Sequence, residues 1–456
     1  MARRGELPEN AKVLVAGAGR SGIGACRLLA DNGIEATLYD GNVNLDREKL
    51  LSQFESGKAP KLLLGDLAPE TAKEYDICVI SPGIPMDSPV ALTLNGAGVP
   101  VWSEIELAYE LSAGRLAAIT GTNGKTTTTA LVGEMLANEY EKTFVVGNIG
   151  TAYTGEASRM TEDCATVVEV SSFQLETIIH FHPQVSAILN ITPDHLNRHK
   201  TMENYIACKE NVTLNQTAED TCVLNYEDEV LREFGKTLVC KVVWFSSARE
   251  LDEGLFLRGD EIMLREKDTE TDILSVKELN IVGRHNYENA MAACGVALAM
   301  GVSLEHVRQA LKSFQAVEHR IEFVIERDGV VYYNDSKGTN PDAAIKGIEA
   351  MSRPTWLIGG GYDKKSDYRE WLTACIGRIR CLVLIGATAD AIEKEARELG
   401  ITQIYRAGDL KTAVDYCKEH AAAGEAVLLS PACASWDQFE SYEQRGRMFK
   451  DFARQA

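Results

Sequence analysis

Short β-branched runs recur along the chain, each followed by a glycine or serine and then a longer stretch with apolar positions at helical spacing. That rhythm predicts an α/β fold of parallel sheets joined by crossover helices. Runs at 12–16, 36–40, 77–81 and 99–102 read as the strands of a first unit ending near residue 112. A second unit opens at 116–120 and continues through 145–146, 166–170, 185–190 and 221–225. From 242 to 277 the helical spacing gives way to alternation, as in Leu255-Phe-Leu-Arg258 and Glu261-Ile-Met-Leu264. That change predicts antiparallel strands appended to the second unit, and so a mixed central sheet. Helices are predicted over 286–300 and 304–314, and a third unit begins near residue 317. Its strands are expected at 330–334, 355–359, 381–386, 403–405 and 426–430. The expected division is therefore into domains 1–112, 113–316 and 317–456, with no internal repeat, low-complexity run or long linker. With 456 residues, each can bury its own core.

Composition narrows the partners. Lysine and arginine number 47 against 67 aspartates and glutamates, a net charge of −20. That balance argues against wrapping a nucleic acid or lying on an anionic membrane. Anionic substrates must then be held by local cations and backbone amides. The apolar runs are strand-sized and too short to span a bilayer. Residues 1–6 are basic with no apolar stretch behind them, so no signal peptide is expected. Eleven cysteines are scattered without a Cys-x-x-Cys pair or zinc-type spacing. A reducing compartment, the cytoplasm, is expected, with Cys78, Cys294 and Cys381 as small buried hydrophobes.

Two glycine motifs carry the chemistry. Val13-Leu-Val-Ala-Gly17-Ala-Gly19-Arg-Ser-Gly22 is a GxGxxG between a strand and a helix, and Asp40 ends the next strand where a ribose-binding acid belongs. Taken alone it fits a nicotinamide-dependent oxidoreductase. The physics asks only for a diphosphate and a ribose, which a UDP-linked substrate also has. Ser81-Pro-Gly-Ile-Pro85 adds a rigid loop at the same sheet edge. The second motif, Thr120-Gly121-Thr-Asn-Gly124-Lys125-Thr126-Thr-Thr128, also sits between strand and helix. It is two residues shorter than the Walker pattern between its glycines, yet keeps amides to wrap phosphates, Lys125 to reach the terminal ones and Thr126 to ligate Mg2+. A dehydrogenase has no need of a second phosphate loop. An ATP-driven reaction on a nucleotide-bearing substrate explains both.

Polar residues fall at the strand ends, where open parallel sheets place their sites. Glu169 interrupts an apolar strand, a conflict that a cation would resolve. Asp194-His195 follows another strand, and His195 reads either as a loop histidine or as a ligand. Lys209 lies on the apolar stripe of the helix expected around 202–214, in the manner of a snorkelling or a functional lysine. Asp335 and Lys337 end what reads as the first strand of the third domain, and His319-Arg320 precedes it.

Together these blocks resemble the Mur ligase family, ATP-dependent amino-acid ligases that build the peptidoglycan stem peptide. The resemblance rests on Gly121–Thr128, Val168-Glu-Val-Ser-Ser-Phe-Gln-Leu-Glu176, Asn190–His195, His285-Asn-Tyr-Glu-Asn289 and Asn334–Asn340, in order. Ser171-Ser-Phe-Gln-Leu-Glu176 and the block from Leu429 to Gly446 are similar to the branch that adds D-glutamate to UDP-N-acetylmuramoyl-L-alanine. The resemblance implies a Rossmann-like UDP-binding domain, a central ATP-binding domain and a Rossmann-like third domain. It implies that Gly19, Arg20, Ser21, Asp40, Ser81, Pro82, Gly83, Asn148 and Ser171 hold the UDP substrate. Gly121, Thr122, Asn123, Gly124, Lys125, Thr126, Thr127, Asn289, Arg320, Asp335 and Lys337 would take ATP. Thr126 and Glu169 would hold one Mg2+, and His195 with Lys209 a second. Lys209 is expected as a carbamate, since a protonated amine cannot ligate a metal. Thr339, Lys364, Ser435, Trp436 and Tyr442 would position D-glutamate, with Lys365 as the alternative to Lys364. An acyl phosphate, domain closure before chemistry and a monomeric state complete the expectation.

Overall fold

Strands β1 (Val13–Ala16) and β4 (Ile77–Ile80) are buried at every position, as central strands of a two-sided parallel sheet must be. With β2 (Ala36–Asp40), β3 (Lys61–Leu64) and β5 (Val101–Ser103) they form a parallel sheet in the order β3-β2-β1-β4-β5. The strand order reverses at β1, so a crevice opens beyond the carboxyl ends of β1 and β4. Strand β3 was not legible: Lys-Leu-Leu-Leu holds no β-branched residue and is a partly exposed edge. A computed structural model describes residues 7, 8, 10–148, 150–315 and 318–455. The expected domain join at 316–317 and the charged start at 1–6 lie outside the described residues.

The second sheet is nine-stranded and mixed, ordered β14-β13-β12-β11-β10-β9-β6-β8-β7. Its strands are β6 (Arg115–Thr120), β7 (Thr143–Gly147), β8 (Ala165–Glu169), β9 (Val185–Ile188), β10 (Thr221–Asn225), β11 (Lys241–Ser246), β12 (Gly254–Arg258), β13 (Glu261–Glu266) and β14 (Thr269–Ser275). The antiparallel part is shorter than the alternation suggested. Strand β11 runs parallel to both β10 and β12, and only the β12–β13 and β13–β14 pairs are antiparallel. The helix Glu229–Gly235 is the crossover that sets β11 parallel.

Both sheets belong to one compact unit, which runs up to Ser275 and includes Glu288–Leu311. A buried carboxylate joins them. Glu106, on the helix Glu104–Glu110, accepts the backbone N–H groups of Ile179, His180 and Phe181. Neighbouring Glu104 accepts from Thr154 through its backbone N at 3.0 Å and its Oγ1 at 2.8 Å. Burial pushes both carboxyls up, and these donors pull them back.

The second unit comprises Val276–Tyr287 and the chain from Lys312 onward. Its sheet contains β15 (Glu322–Arg327), β16 (Val330–Asn334), β17 (Thr355–Gly359), β18 (Ile379–Leu384), β19 (Ile404–Arg406) and β20 (Ala426–Leu429), ordered β15-β16-β20-β17-β18-β19. Strand β16 is thus the second strand of this unit. The unpredicted β15 pairs antiparallel with it across the Asp328-Gly329 turn, both residues at positive φ, which suits a tight hairpin. Apolar clusters cover both faces of the sheet. Among the described residues no helix is long and apolar enough to cross a membrane.

Candidate active site

The phosphate loop follows β6 and opens the helix Lys125–Glu139. Gly121 and Gly124 have φ of +145° and +87°. A Cβ on Gly124 would collide with the Asn289 Oδ1, so the loop passes against that side chain as glycine alone allows. Asn190, beyond β9, clamps the loop: its Oδ1 accepts the Asn123 N–H at 2.9 Å and its Nδ2 donates to the Asn123 carbonyl at 3.1 Å. Thr122 Oγ1 donates to the Thr192 carbonyl at 3.1 Å and accepts its N–H at 3.0 Å. Thr126 and Thr127 are buried behind the loop.

Two ammonium groups converge on one carbonyl. Lys125 Nζ donates to the Gly121 carbonyl at 2.8 Å, and Lys209 Nζ donates to the same oxygen at 2.6 Å. Lys209 is buried, 4.7 Å from the Tyr205 ring centroid, as the apolar stripe of its helix required. Burial first, and the Lys125 charge second, hold its ammonium well below the ordinary lysine range. Glu169 lies at the end of β8. Its Oε1 accepts from Asn148 Nδ2 at 2.9 Å, while its buried Oε2 has no hydrogen-bond partner among the described residues. A buried carboxylate oxygen left in that state is costly. A hard cation such as Mg2+ would satisfy that oxygen, and the hydroxyl of Thr126 is a donor of the type such a cation takes. His195 has φ +52°, stays half-exposed, and packs 5.0 Å from the Phe173 ring.

A cavity of about 540 Å³ lies beyond β1 and β4. Gly19, Arg20, Ser21, Asp40, Ser81, Pro82 and Gly83 all line it. Asp40 is fixed by two backbone donors, Ala18 N to Oδ2 and Asn42 N to Oδ1, each at 2.9 Å. Asn148 and Ser171 do not line this cavity; they sit at the ends of β7 and β8. Ser171 caps the helix Ser172–Leu175 in a capping box with Gln174.

In the second unit, Asp335 follows β16 and is buried, its Oδ2 accepting from Ser430 Oγ at 2.7 Å. Burial lifts its carboxyl to about 7, against the opposing pull of Arg320. The folded state therefore binds this proton more tightly than the unfolded chain does. The resulting stability is complete in acid and is lost as pH rises through 7. Relative to Asp335→Asn, the wild type is expected to lose about 3 kcal/mol of unfolding free energy between about pH 5 and pH 8, read by urea titration. A parallel dependence in the two proteins would refute this. Arg320 Nε is buried without a hydrogen-bond partner among the described residues. Lys337 Nζ lies 5.8 Å from the Tyr442 ring. Lys364 is exposed, 3.5 Å from the Thr339 carbonyl and 5.4 Å from the Trp436 ring, while Ser435 is buried. Lys365 is also exposed, with φ +58°.

Three family models match the chain in order: "Mur ligase MurD-like, N-terminal domain" over 11–103, "Mur ligase middle domain" over 119–297 and "Mur ligase, glutamate ligase domain" over 319–433. The chain belongs to the Mur ligase family. A relative from Lachnoclostridium phytofermentans, named UDP-N-acetylmuramoylalanine--D-glutamate ligase, is 52% identical over 97% of either chain. One of the same name from Clostridioides difficile is 43% identical, over 96% of this chain and 97% of its own. Among solved structures, MurF from Thermotoga maritima in complex with ADP gives a TM-score of 0.59 at 17% identity, covering 97% of this chain and 95% of its own. MurC from the same organism gives 0.59 at 18%, covering 97% and 99%. These likenesses show that the Mur ligase fold extends over the whole chain.

Some of this Mur ligase's site residues escaped the sequence reading. Tyr39 and Asp66 also line the cavity. Asp66 lies just after the unpredicted β3, so nothing marked it as a strand-end residue. Asn190 was only part of a family block, because its clamp spans 67 residues. His319 is buried at φ +67°, its Nδ1 2.9 Å from Asn334 Nδ2 and its carbonyl taking the Lys337 N–H. It shapes the loop from below, a role that its place beside Arg320 did not reveal.

Proposed function

We propose that this Mur ligase joins D-glutamate to UDP-N-acetylmuramoyl-L-alanine through an amide bond, converting ATP to ADP and phosphate. One observation carries the reading: a single unit holds both a glycine-loop cavity with an acid at its rim and a separate phosphate loop beside an unsatisfied buried carboxylate. The cavity residues Gly19 to Ser21, Asp40 and Ser81 to Gly83 take the UDP moiety, with Asn148 and Ser171 toward the acyl end. The loop amides and Lys125 take the ATP phosphates, with Asn289 on the same unit; Arg320, Asp335 and Lys337 of the second unit are the further residues proposed for ATP. Thr339, Lys364, Ser435, Trp436 and Tyr442 receive D-glutamate.

The substrate carboxylate attacks the γ-phosphorus, and the bond to the β,γ-bridging oxygen breaks, giving an acyl phosphate and ADP. The D-glutamate amine then attacks the acyl carbon and loses a proton as the carbon–oxygen bond to phosphate breaks. Lys125 stabilises charge on the transferring phosphoryl group, and the rigid loops hold the reactants in line. Thr126 and Glu169 would hold one Mg2+, and His195 with Lys209 a second. When bound, Mg2+ supplies charge neutralisation to the phosphates. The depressed ammonium of Lys209 favours the free amine that adds CO2 and releases a proton to become a carbamate. A reaction that uses ATP and a UDP-linked substrate would belong in the cytoplasm.

The test is phosphate release with UDP-N-acetylmuramoyl-L-alanine, ATP and, in turn, D-glutamate, L-glutamate or D-aspartate. Release with D-glutamate is expected. Release with L-glutamate alone would overturn the reading.

A further inference from the structure

Arg445, four residues into the last helix (Tyr442–Arg454), is fully buried. A buried guanidinium normally meets a carboxylate, because an isolated charge is expensive to remove from water. Among the described residues, no carboxylate hydrogen-bonds to this one. Its Nε donates to Ser336 Oγ at 3.0 Å and its Nη2 to the Ser336 carbonyl at 2.8 Å. Both Nη atoms reach the Cys433 carbonyl at 3.2 Å, and Nη1 also reaches that of Ala434 at 3.3 Å. Asp335 and Asp437 act on it only at a distance.

The acceptors belong to two separate strand-end loops. Ser336 lies between Asp335 and Lys337, and its hydroxyl in turn donates to the Tyr442 carbonyl at 2.8 Å. Cys433 and Ala434 lead directly into Ser435 and Trp436. A third loop closes on the same group: a Cβ on Gly361 would lie 3.4 Å from Arg445 Nη1. That glycine has φ +150° and opens the segment carrying Lys364. One planar fork thus ties together the loops that carry the amino-acid residues. A lysine, with its single point charge, could not span them. With all five of its N–H donors engaged, the guanidinium fixes the relative place of loops that carry the residues proposed for D-glutamate.

We propose that Arg445 is the positioning residue of the amino-acid site: from its buried place it registers the 335–340, 359–364 and 433–436 loops. This rests on the proposed ligase reading. The wild type must first release phosphate with D-glutamate, and failure there rejects the reading itself. The experiment then compares Arg445→Lys and Arg445→Met with wild type, measuring KM separately for D-glutamate and for the UDP substrate, together with the melting temperature. Arg445→Lys keeps the charge but loses the fork, so KM for D-glutamate is expected to rise at least about tenfold. KM for the UDP substrate, held by the other unit, should stay within about twofold. Arg445→Met removes the charge as well and is expected to raise KM for D-glutamate further. If the methionine variant does not fold, the lysine variant decides alone. Wild-type KM for D-glutamate in Arg445→Lys, or an equal change in both KM values, would overturn the proposal while leaving the ligase reading intact.

Discussion

Lys209→Ala is expected to lower the ligation rate by at least about two to three orders of magnitude, in the range seen when a preorganised electrostatic group is removed. Short carboxylates such as acetate or formate should restore part of the activity, because they supply the oxygens of the expected carbamate. The reasoning starts from Lys209 itself. A buried ammonium that shares the Gly121 carbonyl with Lys125 is held in the state least favourable to charge. Conversion to a carbamate exchanges a repelled cation for an anion facing Lys125, which removes the conflict. Undiminished rates in the variant, or loss with no rescue at any carboxylate concentration, would refute this role. A melting temperature near that of wild type is needed to separate it from a folding defect.

Glu169→Gln is the second large effect, and its two readouts should move in opposite directions. The rate is expected to fall about 10²- to 10³-fold, since an amide cannot replace an anionic oxygen at a cation site. Stability should rise by about 1–2 kcal/mol, because the substitution replaces an unpartnered buried charge with a neutral dipole. The glutamine oxygen can keep the bond from Asn148 Nδ2 that Glu169 Oε1 accepts. A stability loss in calorimetry would mean that Oε2 has a structural partner, and the cation assignment would fail with it.

Strands rich in valine and isoleucine, such as β1, β4 and β8, were legible because burial on both faces writes itself as a continuous apolar run. Edge strands were not. The leucine-rich β3 and the charged β15 read as connections, since half-exposed edges need no such run. Chemistry at strand ends was legible for a related reason. Glu169 contradicts its apolar strand, and Lys209 contradicts its apolar stripe. Arg445 contradicts nothing local: on an amphipathic final helix it reads as an exposed cation, and its burial depends on carbonyls 11 and 109 residues away. Asn190 was missed for the same reason, because its clamp exists only after distant loops have met, whereas Asp66 was missed with the edge strand it follows.

The clasp formed by Glu106 bears on how such enzymes can be recombined. Its acceptors reach the amides of Ile179, His180 and Phe181, which lie 73 to 75 residues later in the chain. A chimaera that exchanged the nucleotide-binding segment between relatives while leaving that loop behind would bury an unanswered carboxylate at the seam. New substrate-binding modules can therefore be grafted onto this ATPase only as a matched pair of helix and loop, inherited together although the sequence keeps them far apart.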